Sequence, residues 1–241
     1  MGRLIDRLNQ DIRFEEGMKA CMNCGVCTAI CPAAEFYKYD PREICNLVQL
    51  DDEDTLEELL KSDTIWYCGE CMSCKMRCPR GNTAGLIIMA LRTLSQETGL
   101  FVESEKGRQQ FVIKRVIGQN IIDIGYCIHP RRVNPELHME QGPIWKWIVE
   151  NDESIYNKLG GGNYGKEGPG VFRKISEESM NEIRNIFKVT GGNDFMDKIE
   201  DYSRRKAKEL GFDFDKEGDD QRYFMHVYQS NSQTHNKDTE G

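Results

Sequence analysis

Apolar residues recur at helical spacing along most of the chain, and alternation with period two is almost absent. Leu4, Ile5, Leu8 and Ile12 predict a short amphipathic helix within residues 1–20. Asp40-Pro41-Arg42-Glu43 places a carboxylate cap, a proline at the first helical position and a glutamate three after the cap, so a helix is expected from Pro41 to about Leu50. Acids at Asp52 to Asp54 start a second helix on the favourable side of the dipole, with Leu56, Leu59 and Leu60 as its apolar face. Asn82 is the expected cap of a helix through Leu86, Ile87, Ala90, Leu91 and Leu94 that Gly99 ends. Another helix is expected from about Glu103 to Val116, closing at Gly118.

From Asn120 to Gly142 the pattern breaks up, with turn signals at His129-Pro130, Asn134-Pro135 and Gly142-Pro143. An aromatic segment, Ile144 to Ile148, then reads as a short helix. Residues 159–170 carry six glycines and one proline and read as a loop. Ser176 caps a helix to about Lys188, with Met180, Ile183 and Phe187 facing inward and Ile175 stapled against Met180. Asn193 to Leu210, closed by Gly211, is the next helix, and Tyr223 to Tyr228 reads as one strand. The fold class is therefore mainly α. Residues 1–130 form one domain, 131–230 a mostly helical extension for packing or partner docking, and 231–241 a polar, disordered tail.

Charge narrows the function classes. With 40 acids against 32 lysines and arginines in 241 residues, the net charge of -8 disfavours nucleic acid. The start, MGRLIDRLNQ, has charged and amide residues where a signal peptide is apolar, and the apolar stretch Leu86 to Leu91 is far below the roughly 20 residues of a membrane span. No membrane span and a cytoplasmic location are expected.

Cysteine usage changes the picture most. Nine of the ten cysteines lie before residue 80, and a reducing compartment directs them to metal chemistry rather than disulfides. Cys21, Cys24, Cys27 and Cys31-Pro32 are repeated in spacing by Cys68, Cys71, Cys74 and Cys78-Pro79. This is the spacing of paired 4Fe-4S clusters, in which the fourth cysteine serves the other cluster. It assigns Cys21, Cys24, Cys27 and Cys78 to one cluster and Cys68, Cys71, Cys74 and Cys31 to the second. Proline after the fourth cysteine keeps that residue extended, so its thiolate can leave its own loop. Zinc also takes paired Cys-x2-Cys elements, but it gives no reason for a third step and a Cys-Pro, twice. With two clusters bound the charge would be roughly -12, so partners should offer basic faces.

The string Ser62-Asp63-Thr64-Ile65-Trp66-Tyr67-Cys68, running into Arg77-Cys78-Pro79-Arg80-Gly81, together with Pro41-Arg42, resembles the C subunit of heterodisulfide reductase and its bacterial homologues over about residues 15–130. The resemblance implies an α-helical ferredoxin domain with two 4Fe-4S clusters. It also implies an electron-transfer subunit, not itself catalytic, between a flavin-containing A-type subunit and a catalytic iron-sulfur B-type subunit. Length beyond about residue 150 is similar to the C subunits of heterodisulfide-reductase-like complexes. The rival readings are a free-standing ferredoxin-like carrier and a zinc-organised interaction module.

The remaining candidates read as structural. Cys45 and Cys127 have no cysteine at ligand spacing and are expected as buried small apolar residues. His129, His138, His226 and His235 are isolated. Gly160 to Lys166 imitates a phosphate loop, but Glu167 replaces the needed hydroxyl and no apolar strand precedes it. No Gly-x-Gly-x-x-Gly strand-turn-helix unit is expected, so a flavin or nicotinamide belongs to another chain. Trp145 and Trp147 are expected in core packing between the two modules, with an interface anchor as the alternative.

Overall fold

A computed structural model describes residues 3–135, 142–214 and 222–234. Among these every regular element is a helix, and the only pairing of strand type is one isolated antiparallel bridge between Tyr164 and Arg173. It divides into two compact units, Met1–Gln110 with Lys198–Gly241, and Phe111–Asp197.

The first unit holds α1 (Leu4–Asn9), α2 (Ile12–Gly17), the short α3 (Val26–Ala29) and α4 (Ala33–Phe36), α5 (Pro41–Val48), α6 (Glu53–Lys61) and α7 (Ala84–Thr98). The fifteen-residue α7 is its axis, packing against α1, α2, α5 and α6 and burying Ile87, Ile88, Leu91 and Leu94. Caps set the helix starts. Asp40 accepts from the N–H groups of Arg42 (2.9 Å) and Glu43 (3.3 Å), and Asp52 from that of Thr55 (2.9 Å). Arg3 caps α1 with no side-chain bond, and the Glu53 carboxylate of α6 instead accepts from Leu4 (2.6 Å) and Ile5 (3.3 Å). Gly17 lets α2 close on α7, since a Cβ there would stand 2.9 Å from Leu86 Cβ.

Several expectations need correction. Thr83, not Asn82, is the N-cap residue of α7, and the Asn82 side-chain amide oxygen instead accepts from the Lys19 N–H at 2.5 Å. The helix expected to stop at Gly118 is α8 (Glu105–Ile113), which passes through a π-helical turn at Lys114–Gly118 into α9 (Gln119–Ile124). Gly118 has helical dihedrals (φ -60°) and serves close packing, since a Cβ would meet Met196 Cε at 3.2 Å; the stop is Gly125, at φ +77°.

The next helices are α10 (Pro143–Glu150), α11 (Asp152–Tyr156), α12 (Glu177–Val189) and α13 (Gly192–Glu209). Ser176 caps α12 as expected. The tryptophan pair divides: Trp147 is 52% exposed, against the expected core packing, as is Ile144 at 58%, whereas Trp145 is half-buried with its indole nitrogen covered. The stretch expected as a strand, Tyr223 to Tyr228, lies in α14 (Arg222–Thr234). Tyr223, Phe224 and Val227 are buried there, which is the three- and four-residue spacing of one helix face rather than alternation. Helix α14 also runs into the expected tail as far as Thr234, and residues 235–241 lie outside the described residues.

Candidate metal centre

The two cysteine loops share more than spacing. Asn23 and Gly25 in the first have φ of +58° and +78°, and Glu70 and Met72, 47 positions on, have +53° and +57°. Three of these four are not glycine, so left-handed backbone is held there against its steric cost. Alternating right- and left-handed residues turn successive N–H groups to one side, which makes a concavity for an anion. Glu70 N–H donates to Cys68 Sγ at 3.4 Å in this way.

The chain ties the loops together. Asn82, leaving the second loop, accepts from Lys19 N–H and donates to the Ala20 carbonyl (3.5 Å), while Thr83 N–H donates to the Gly17 carbonyl at 2.7 Å. The segment entering the first loop is thus joined to the segment leaving the second, which brings Cys78 beside the first loop. Cys21, Cys24, Cys27 and Cys78 line one cavity, together with Arg42, Cys45 and Arg80. A second cavity is lined by Cys31, Cys68, Cys71 and Cys74, with Tyr39 and Met72. Cys27 touches both.

Electrostatics around the second cavity act in both directions, with Cys68 held up and Cys71 drawn down. Burial pushes the Cys68 thiol up, opposed by the Glu70 N–H, Arg92 and the Tyr39 hydroxyl. The Ser73 hydroxyl draws the exposed Cys71 down. Gly85, in the first turn of α7, donates its N–H to Cys74 Sγ at 3.4 Å, so a helix N-terminus faces that sulfur. Arg92 anchors the loop entry, donating to the carbonyls of Ile65 (2.7 Å) and Cys68 (2.6 Å) and to Glu70 (2.5 Å), with Trp66 under its guanidinium. Nothing in the cysteine pattern marked Arg92. Its signal was one arginine in the otherwise uncharged run from Gly81 to Gln96.

Cys45 is buried, as expected, and burial pushes its thiol far up. Cys127 is exposed, not buried, because it follows the left-handed Gly125 that ends α9. His129 belongs to an aromatic group with Tyr126, Tyr164 and Phe172, and His226 packs on Phe212 at 4.7 Å. His138 and His235 lie outside the described residues.

The donor set fits iron-sulfur clusters. Cysteine sulfurs, which are soft donors once deprotonated, rim two similar cavities. Among the described residues no three His, Cys, Asp or Glu side chains close around a single ion. A helical unit with two such cavities is an iron-sulfur protein of the two-cluster kind, and a family profile described as a 4Fe-4S dicluster domain matches residues 17–82.

The particular family follows from curated relatives. The C subunit of a ferredoxin:CoB-CoM heterodisulfide reductase of Methanosarcina acetivorans is 33% identical over 159 residues, covering 65% of this chain and 60% of the relative. The C subunit of a ferredoxin/F(420)H(2)-dependent CoB-CoM heterodisulfide reductase of the same organism is 30% identical, covering 56% of this chain and 78% of the relative. The C subunit of the H(2):CoB-CoM heterodisulfide,ferredoxin reductase of Methanothermobacter marburgensis is 30% identical, covering 50% and 68%. The chain belongs to the family of heterodisulfide reductase C subunits, which are iron-sulfur electron-transfer subunits. It spans 60% and 56% of the length of two of the more similar relatives, so likeness to those two is confined to part of each. Among the described residues no helix is long and apolar enough to cross a membrane.

Proposed function

We propose that the chain relays single electrons between a flavin-containing A-type subunit and a catalytic iron-sulfur B-type subunit of a cytoplasmic heterodisulfide-reductase-like complex. Cys21, Cys24, Cys27 and Cys78 hold one 4Fe-4S cluster, and Cys68, Cys71, Cys74 and Cys31 hold the other. The observation that carries this reading is the lining of the two cavities, in which each loop sends its fourth cysteine to the other loop and Cys27 stands at both. Centres held this way are near neighbours, which suits transfer from one to the next. When bound, each cluster supplies a one-electron store. The chain's own residues hold, insulate and tune these stores, and no other pair of cysteines is placed to break a disulfide, since Cys45 is buried in α5 and Cys127 is exposed in the other unit.

The test uses the full chain assembled anaerobically. It should carry about eight iron and eight sulfide, accept electrons from dithionite, and reduce no CoB-CoM heterodisulfide. Turnover of that disulfide by the pure chain at the rate of a whole complex would sink the relay reading.

A further inference from the structure

One short segment runs beside both cavities. Tyr39 lines the second and Arg42 the first, three positions apart, with the buried Pro41 between them. The Tyr39 side chain is deeply buried, the residue being 5% exposed, yet its hydroxyl makes no hydrogen bond of normal geometry among the described residues. Arg42 Nε is likewise buried without a partner, although its guanidinium pairs with Asp40 at 2.6 Å. Buried donors are seldom left unpaired, and each such group calls for an acceptor. Trp66 Nε1 is also buried and unpaired but lines neither cavity, so the pairing of a free donor with a sulfur-lined space is particular to Tyr39 and Arg42.

The segment is held firmly. Asp40 caps α5 and also accepts from the Thr28 hydroxyl of the first loop. The Tyr39 ring stands edge-on to Tyr67 at 6.3 Å, and Tyr67 stacks on Tyr37 at 4.5 Å. Both donors are therefore positioned before any acceptor arrives.

We infer that Tyr39–Arg42 is a shared donor strut, its Tyr39 O–H serving sulfur at the second centre and its Arg42 Nε–H serving sulfur at the first. Tyr39 and Arg42 are positioning residues that tune each centre separately. A hydrogen bond to sulfur stabilises the more negative, reduced state, so each donor holds its centre's potential up. This inference rests on the two-centre reading above.

Redox titration of the full chain followed by electron paramagnetic resonance tests it, with Cys24→Ser and Cys71→Ser identifying the signals of the two centres. Tyr39→Phe should lower the potential of the second centre alone. Arg42→Lys, which keeps the charge but lacks Nε–H, should lower the first alone. The expected shift is up to about tenfold in the reduced-to-oxidised ratio at fixed potential, or about 59 mV for one electron. With eight iron and eight sulfide retained, unchanged potentials, or both substitutions moving one centre, overturn the strut. Iron near half that content would sink the two-centre reading and the strut with it. Should Tyr39→Phe fail to assemble, 3-fluorotyrosine in place of Tyr39 alone still decides: the stronger donor should raise the potential of the second centre, and an unchanged potential overturns the strut.

Discussion

The unit Met1–Gln110 with Lys198–Gly241 and the unit Phe111–Asp197 solve the problem of burial differently. Ten of the twelve largest fully buried side chains among the described residues belong to the first, and only Phe111 and Pro130 to the second. The first has a continuous apolar core, with Cys21, Cys31, Cys68 and Cys74 packed against it. The second is organised by polar and ring contacts around Asp152, which accepts from Arg131 at 2.7 Å and from the Tyr164 hydroxyl. Arg131 also lies over the Tyr164 ring. Burial alone would raise the Asp152 carboxyl, but Arg131 and Tyr164 outweigh it and hold the group ionised. One unit therefore sets its cysteines against an apolar core, and the other is organised by ion pairs and rings.

The largest effect should come from removing iron. Metal-thiolate bonds supply folding free energy to the unit that holds the ligands. Chelation should abolish hydrogen-exchange protection over residues 20–100 and leave α12 protected. Equal loss in both places would break the comparison.

A pair of glycines sharpens it. Gly17→Ala would press a methyl against Leu86 Cβ at 2.9 Å and should cost about 1–3 kcal/mol through overpacking. Gly118→Ala meets only the mobile end of Met196 at 3.2 Å on a helical backbone, so the gain in helix propensity, up to about 1 kcal/mol, should leave it neutral or stabilising. Denaturant titration of the holoprotein reads both, and a destabilised Gly118→Ala would show the second unit to be as tightly fitted as the first.

The smallest effect is a pH dependence confined to the second unit. Burial, then Arg131 and Arg132, depress His129 below its ordinary value, with Asp152 opposing. As pH falls through about 6.5 the unfolded chain takes up the proton first, so this stability is complete above that pH and declines below it. Solvent screening limits the loss to about 0.5 kcal/mol. His129→Gln should flatten the exchange rates of residues 126–172 between pH 7 and 5.5; an unchanged slope would remove His129 as the cause.

Much of the first unit was legible because local signals and tertiary packing agree there. The Asp40 cap, the start of α6 at Asp52 and the left-handed Gly99 all appear where the pattern put them. Signals failed where one residue serves two ends. Gly118 reads as a helix stop but is small for the sake of Met196, and Asn82 reads as a cap but bonds across to Lys19. Tyr223 to Tyr228 is rich in aromatic residues, and its helical face emerges only once the buried positions are known. In the site, the cysteines were legible from spacing alone. Tyr39, Arg42 as a cavity-lining donor, and Arg92 were not, because their contribution lies in donors aimed across the fold, which leave no periodicity in the chain.

The tie between Lys19 and Asn82 also fixes an order of events during synthesis. Cys78 lines the first cavity and Cys68, Cys71 and Cys74 the second, so a nascent chain that ends before the second loop can ring neither space with four sulfurs. At ~5–20 residues per second, roughly 3–11 s separate the emergence of Cys21 from that of Cys78. For that interval the first loop is a set of exposed thiols without its last partner. Whatever delivers iron and sulfide must wait for the second loop or shield the first until it arrives.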